Sequence, residues 1–182
     1  MSKVGVSNFH YAKQTTEDTA SSAATYGTVT AVAGTVSVDI SPASNKATLY
    51  ADNGPYETAS ALGEVTVTID LADLPLAVQA DLLGHTLTDG QLDSKVSDVA
   101  PYVAVMFEYL LGNGKKRCVK LYKGKFTEPS DTAQTKGENV EFQTFSVEAA
   151  FVQLKNNGMW KSTKDFDADA STASWYSSVL PA

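Results

Sequence analysis

"TLYADNGPYETASALGEVTVTID", residues 48–70, begins as a strand, breaks into a polar, turn-rich stretch, and ends as another strand. Its second half sets the fold class. Val65, Val67 and Ile69 alternate with Thr66, Thr68 and Asp70, the period of two that marks a half-buried strand. "GTVSVDIS" upstream repeats the pattern, with Val36, Val38 and Ile40 on one face and Thr35, Ser37 and Asp39 on the other. Between them, residues 41–63 hold too few apolar side chains to pack on their own domain. They read as a long inter-strand loop, a kind of segment that tends to be functional or disordered. Inside it, Asp52, Asn53, Gly54, Pro55, Tyr56 and Glu57, with Tyr50 just before, set two carboxylates and two tyrosines around a Gly-Pro. The group suits either an active-site loop or a surface that meets another copy of the chain.

Working outward, the other signals are also mostly strands. Val4 to Tyr11 reads as a first strand, and the Thr/Ser/Ala-rich stretch 12–26 as a loop too polar and small to pack. "APYVAVMFEYLLGNGKKRCVKLYKGKF" reads as a hairpin with Asn113-Gly114 in its turn, because both residues tolerate positive φ. "VEFQTFSVEAAFVQL" reads as a long strand with Phe145, Val147, Ala149 and Phe151 on one face. One amphipathic helix is expected over about 73–84. Asp73 is its candidate N-cap, Pro75 fits its first turn, Leu74, Val78 and Leu82 form its stripe, and Gly84 is its left-handed stop. "DFDADASTASWYSSVL" reads as a short C-terminal helix that docks Trp175 and Val179. The sum is a mainly β chain, one domain over 1–182, built as a β-sandwich or partly closed barrel with a flanking helix.

Composition narrows the function. Hydrophobic residues are 43% and charged residues 19%, which suits a folded domain. No apolar run approaches the ~20 residues that cross a bilayer. The first residues lack the apolar core of a signal peptide, so the protein is expected to start in the cytoplasm and to have no membrane partner. The single cysteine, Cys118, rules out an intrachain disulfide and a thiolate metal cage, and reads as a small buried hydrophobe. A net charge of −7 argues against general nucleic-acid binding. The charge is uneven, however: Asp39, Asp52, Glu57, Glu64, Asp70 and Asp73 face only Lys46 between 28 and 73. By contrast Lys115, Lys116, Arg117, Lys120, Lys123 and Lys125 cluster without an acid.

Chemistry is hard to find. His10 and His85 have no second ligand at metal spacing. Gly114-Lys115 lacks the remaining residues of a phosphate loop. Asp165, Asp167 and Asp169 open like a calcium loop, but Ala170 and Tyr176 stand where Gly and Glu belong, so they read as acids at a helix N-terminus. Asp52 and Glu57 are a possible carboxylate pair for glycoside chemistry without visible partners. The basic run, interleaved with Tyr122 and Phe126, suits a solvated strand, a nucleic-acid grip, or an electrostatic partner for the acidic stretch of another subunit. No enzyme activity and no cofactor are expected.

The chain as a whole resembles the major tail proteins of long-tailed, siphovirus-type bacteriophages, the group typical of Gram-positive hosts. The likeness is carried by "MSKVGVSNFHYA", "SVDISPASNKATLYADNGPYETASALGEVTVTIDLADLP", "LLGH", "DVAPYVAV", "LYKGKFTEP" and "TKGENVEFQT", in order over residues 1 to about 160. The resemblance implies a virion protein assembled in the host cytoplasm. Its hexameric rings would stack into a tail tube that conducts DNA, and its β-sandwich sheets would join around each ring. Its partners would be itself, the tape measure, tail tip and tail terminator, and passing DNA without specific binding. On physical grounds the polar sets Thr35, Ser37, Asp39 and Thr66, Thr68, Asp70 are expected to line the lumen, where hydroxyls and mild negative charge do not hold phosphates. Residues 42–63 are expected to be an arm that orders against a neighbour. The alternative is a monomeric β-sandwich that binds carbohydrate or peptide.

Overall fold

The computed structural model describes residues 2–131 and 143–180. In chain order the strands are β1 (Lys3–Thr16), β2 (Thr25–Tyr26), β3 (Thr30–Val32), β4 (Thr35–Ala51) and β5 (Gly54–Leu71). Helix α1 (Leu76–Leu83) and the small hairpin β6 (Thr86–Thr88) and β7 (Gln91–Asp93) follow. Then come β8 (Val103–Leu111), β9 (Lys116–Phe126), β10 (Phe145–Val152), β11 (Lys161–Phe166) and the single turn α2 (Ala173–Tyr176). The chain is mainly β: a large antiparallel sheet in the order β2-β1-β8-β9-β10-β5-β4, with β11 on β9, β3 on β1, and two helices. No described helix is long and apolar enough to cross a membrane.

Alternation places the core. Val65, Val67 and Ile69 of β5 meet Phe151, Ala149 and Val147 of β10, and all are buried. They share one cluster with Val103, Val105 and Phe107 of β8, Val119 and Leu121 of β9, and Val78 and Leu82 of α1, while Val38 and Ile40 of β4 pack against it. The intervening residues of β8 and β9 point the other way. Ala104, Met106 and Tyr122 form a second cluster with Leu154 and Val179, which the C-terminal segment covers. Both faces of the central strands are therefore packed, which explains why β8 reads as a nearly continuous apolar run.

Several expectations are corrected. Residues 41–63 are not a loop: β4 and β5 continue as a paired ladder to Ala51↔Gly54, closed by Asp52 and Asn53 at φ 50° and 64°. Two left-handed residues between antiparallel strands are what a tight hairpin requires, and Asp and Asn tolerate that conformation. The loop expected at 12–26 also shrinks, because β1 runs to Thr16 and pairs with β2. Ala12, Asp18 and Ala24 are buried, so this small-residue stretch does pack.

At Asn113-Gly114 the connection has three residues. Gly114 N–H bonds the Leu111 carbonyl, Gly114 alone is left-handed at φ 80°, and Leu111 N–H bonds the Lys115 carbonyl. Helix α1 is preceded by Pro75 and not capped by Asp73, and Gly84 ends it at φ 78° with its N–H on the Ala80 carbonyl. Phe145 is exposed at the start of β10, while the strand start expected at 140–142 and most of "TKGENVEFQT" lie outside the described residues. Asp165 belongs to β11, a strand without a distinct sequence signal, so the acids at 165–169 do not sit in the first turn of α2.

Candidate functional site

From Ser41 to Glu64 the β4–β5 hairpin leaves the core and runs free. Every residue on it is exposed except the half-buried Gly54. At about 3.3 Å per residue, its ten or so rungs extend on the order of 30 Å. The ladder runs through Ser44↔Leu62, Ala47↔Ala59 and Thr48↔Thr58, with a bulge between Leu49 and Tyr50. Large apolar side chains stand in solvent here: Tyr50 and Tyr56 are each 72% exposed near the tip with Leu49 beside them, and Leu62 is exposed nearer the base. A lone two-stranded ribbon is marginally stable in water. The arm has the form of a segment to be covered by something else.

Asp52 sits in the tip, while Glu57 lies across from Leu49 on the strand. Both are exposed, on a ribbon with no walls to exclude water or to hold a sugar between two carboxylates.

Where β4 and β5 lie on the core, their outward side is one polar face. Ser37 pairs with Asp70, Asp39 with Thr68 and Ser41 with Thr66, so the sets expected from the two strands are cross-strand neighbours. The Ser37 hydroxyl donates to Asp70 and the Ser41 hydroxyl to Asp39 (2.8 Å). Thr35 drops out. A bulge between Thr35 and Ser37 turns Val36 outward and sets Thr35 opposite core-facing Leu71. β10 adds Ser146 and Glu148, paired with Asp70 and Thr68. Their alternation with Val147 and Ala149 is the signal that could have found them.

The basic strand is largely engaged within its own chain. Lys123 Nζ lies 2.6 Å from Asp18 and 3.1 Å from Glu17, and its side chain is 1% exposed. Burial alone would lower its pKa, but these two carboxylates outweigh burial and hold it above the usual lysine value. Lys120 donates to the Ser178 carbonyl (2.6 Å) and covers the Trp175 ring, and burial lowers its pKa. Arg117 forks onto both Asp165 oxygens, and Lys115 pairs with Asp167 at 2.8 Å. Lys125 lies over Tyr102, and Lys116 is half-buried. Most of these side chains are thus engaged by acids, a carbonyl or a ring of their own chain, which the sequence reading as a solvated strand, a nucleic-acid grip or a partner for another subunit did not anticipate. Glu17 and Asp18, inside the stretch read as a polar loop, are the partners that sequence reasoning missed.

The histidines also act locally. His10 stacks on Tyr176 with ring centroids 4.3 Å apart. Cys118 is buried, and its thiol pKa is pushed up to about 11 by burial and then by Glu108, which makes it unreactive. Among the described residues no three His, Cys, Asp or Glu side chains group as a metal site.

His85, just past α1, bonds Asp98 through Nδ1 (2.9 Å) and Glu128 through Nε2 (3.0 Å). A neutral imidazole has one N–H, so both partners are satisfied only by the imidazolium. Asp98 raises the histidine pKa most, burial opposes, Glu128 adds, and the net shift is upward. Asp98 also accepts the Lys95 N–H, which fixes it in place. A raised folded pKa stabilises fully below the unfolded value of about 6.5 and is lost as pH rises through the higher folded value. The urea midpoint should therefore fall as pH rises above about 6.5 and through the raised folded value. In His85→Gln that part of the fall should vanish. Identical pH slopes for the two proteins would show that the clamp does not contribute.

Compared with known proteins, the chain matches no family profile and no curated protein.

Proposed function

We propose that the chain is a structural virion protein, the tail tube subunit of a siphovirus-type phage. It self-assembles into stacked hexameric rings whose bore conducts DNA into the host. The observation that carries this reading is the bare β4–β5 arm, a long ribbon exposed on both faces with Leu49, Tyr50, Tyr56 and Leu62 in solvent. A monomeric module that binds carbohydrate or peptide has no use for such an arm, whereas a subunit with neighbours has. The sequence resemblance supplies the kind of assembly.

In this reading the sheet is the tail-tube β-sandwich, a partly closed barrel with α1 on its flank, and its free edges join around the ring. The arm, with Tyr50 and residues 52–57 near its tip, orders against a neighbouring subunit. The face of Ser37, Asp39, Thr66, Thr68 and Asp70, widened by Ser146 and Glu148, lines the bore. Hydroxyls keep it wet, and acids repel phosphates. Tape measure, tail tip and tail terminator proteins are the expected partners, DNA passes unbound, and no cofactor is needed. Sedimentation velocity over a concentration series tests the function. Polymers or short tubes at high concentration, or after seeding with tail tips, are the expected result. A monomer throughout would overturn the tube and leave the binding module.

A further inference from the structure

The sheet forks, and the fork exposes two facing strand edges. β10 and β11 lie end to end along one flank of β9: Val152 pairs with Lys123, and Lys161 with Leu121. Beside β10 runs β5, which continues from Glu64 to Gly54 beyond the last β10 pair, Phe151↔Val65. On a flat sheet that continuation would lie next to β11. Instead the two diverge around Trp160, whose carbonyl accepts the Tyr122 N–H. A cleft of about 290 Å³ opens there between Leu62, Glu64, Phe151, Val152 and Trp160. Among the described residues β11 pairs only with β9, and the arm of β5 only with β4. Among the described strands each keeps one edge of backbone N–H and C=O groups unpaired.

The edges differ in a way that specifies a partner. The arm's β4 edge is blunted by Pro42 and Lys46, two devices that discourage strand addition. The arm's β5 edge, Tyr56 to Glu64, has no proline and no basic residue, is made mostly of small residues, and carries Glu57 and Glu64. The β11 edge also lacks proline, and its exposed charges are Lys161, Lys164 and an Asp165 already held by Arg117. Two β11 edges, or two β5 edges, would set like charges against each other, whereas a β5 edge on a β11 edge sets glutamates against lysines.

The geometry points to β11 as the receiving edge for the arm of a second copy, which docks its β5 strand there by strand addition. This rests on the proposed self-assembly and names the surface on which it occurs. Main-chain hydrogen bonds hold the pair, and the lysines choose between edges.

Two single-cysteine proteins test it: Ser60→Cys on the arm and Thr163→Cys on β11, mixed, assembled and oxidised. The native Cys118 is buried with a raised pKa and does not compete. A mixed S60C–T163C disulfide dimer is the expected product. Polymers that yield no mixed dimer, or only S60C–S60C dimers, would overturn β11 as the receiver while leaving self-assembly intact. Absence of polymers in the parent protein would overturn both readings. As a second measurement, Lys161→Glu with Lys164→Glu should raise the threshold concentration for assembly roughly tenfold, and adding Glu57→Lys with Glu64→Lys should restore it. No shift in threshold, or no restoration, would also overturn the assignment.

Discussion

Replacing residues 43–64 by an Asn-Gly pair should leave a folded subunit that no longer polymerises. The cut keeps Pro42↔Val65 as the last rung, and Asn-Gly supplies the two left-handed residues that a tight turn needs. Everything β4 and β5 give to the core remains: Val38, Ile40, Val65, Val67 and Ile69. The lost residues are exposed, so their removal should shift the melting temperature by only a few degrees. Assembly is a different matter. Leu49, Tyr50, Tyr56 and Leu62 gain on the order of 1.5–3 kcal/mol each when fully buried. Losing even half of that surface at every contact raises the threshold for polymerisation by about a hundredfold or more. Sedimentation of the shortened chain checks this, and normal polymers would show that the arm is dispensable.

The largest effect on stability is expected at the buried ion pair. Lys123 Nζ stands 2.6 Å from Asp18 with both side chains essentially unexposed, and Asp18 also accepts the Lys155 N–H. This contact ties the segment after β1 to the far end of β9. Asp18→Ala removes the buried counter-ion and leaves the ammonium only the exposed Glu17 at 3.1 Å, a loss of about 3–5 kcal/mol. In a chain of this length that is a fall of roughly 10 °C or more in melting temperature. Asp18→Leu with Lys123→Met should recover most of the loss, since replacing both charges removes the desolvation cost along with the attraction.

The same pair sets an acid limit. Burial pushes the Asp18 pKa up, but Lys123 and the Lys155 N–H outweigh it and leave it below the usual value. Its stabilisation is therefore present above about pH 4 and disappears as pH falls through the lower folded value. Urea unfolding of the single and double variants measures all three effects. A cost below about 1 kcal/mol for Asp18→Ala would contradict the buried-pair account.

How far the sequence could be read follows from what each segment touches. Val65, Val67 and Ile69 alternate cleanly because one side of β5 is core and the other is not, and the polar partners Ser37, Asp39, Thr68 and Asp70 could be read from that same alternation. Farther along the same strands the pattern stops. On the arm neither side is buried in this chain, so nothing selects apolar residues at every second position, and Ala47, Ala59 and Ser60 look like a loop. At the tip, Asp52 and Asn53 are turn residues by type, but the Gly-Pro that follows them is the stronger local turn signal. Thr35 leaves the polar face because a bulge at Val36 shifts the register by one, which flips a side chain to the other face, and alternation alone carries no sign of it.

The basic run shows the opposite failure. Its residues were easy to see, but their partners Glu17, Asp18 and Asp165 lie far away in the chain, and pairing across that separation leaves no local signal. β11 was hidden for a related reason: Lys161 to Phe166 is a polar edge strand whose only described strand neighbour is β9.

The most direct test of the central claim is an electron micrograph of the concentrated protein, seeded with tail tips or tube fragments. The expected result is hollow tubes of uniform diameter built from stacked rings, with the β4–β5 arms buried between subunits. A field of separate particles at every concentration, seeded or not, would contradict it.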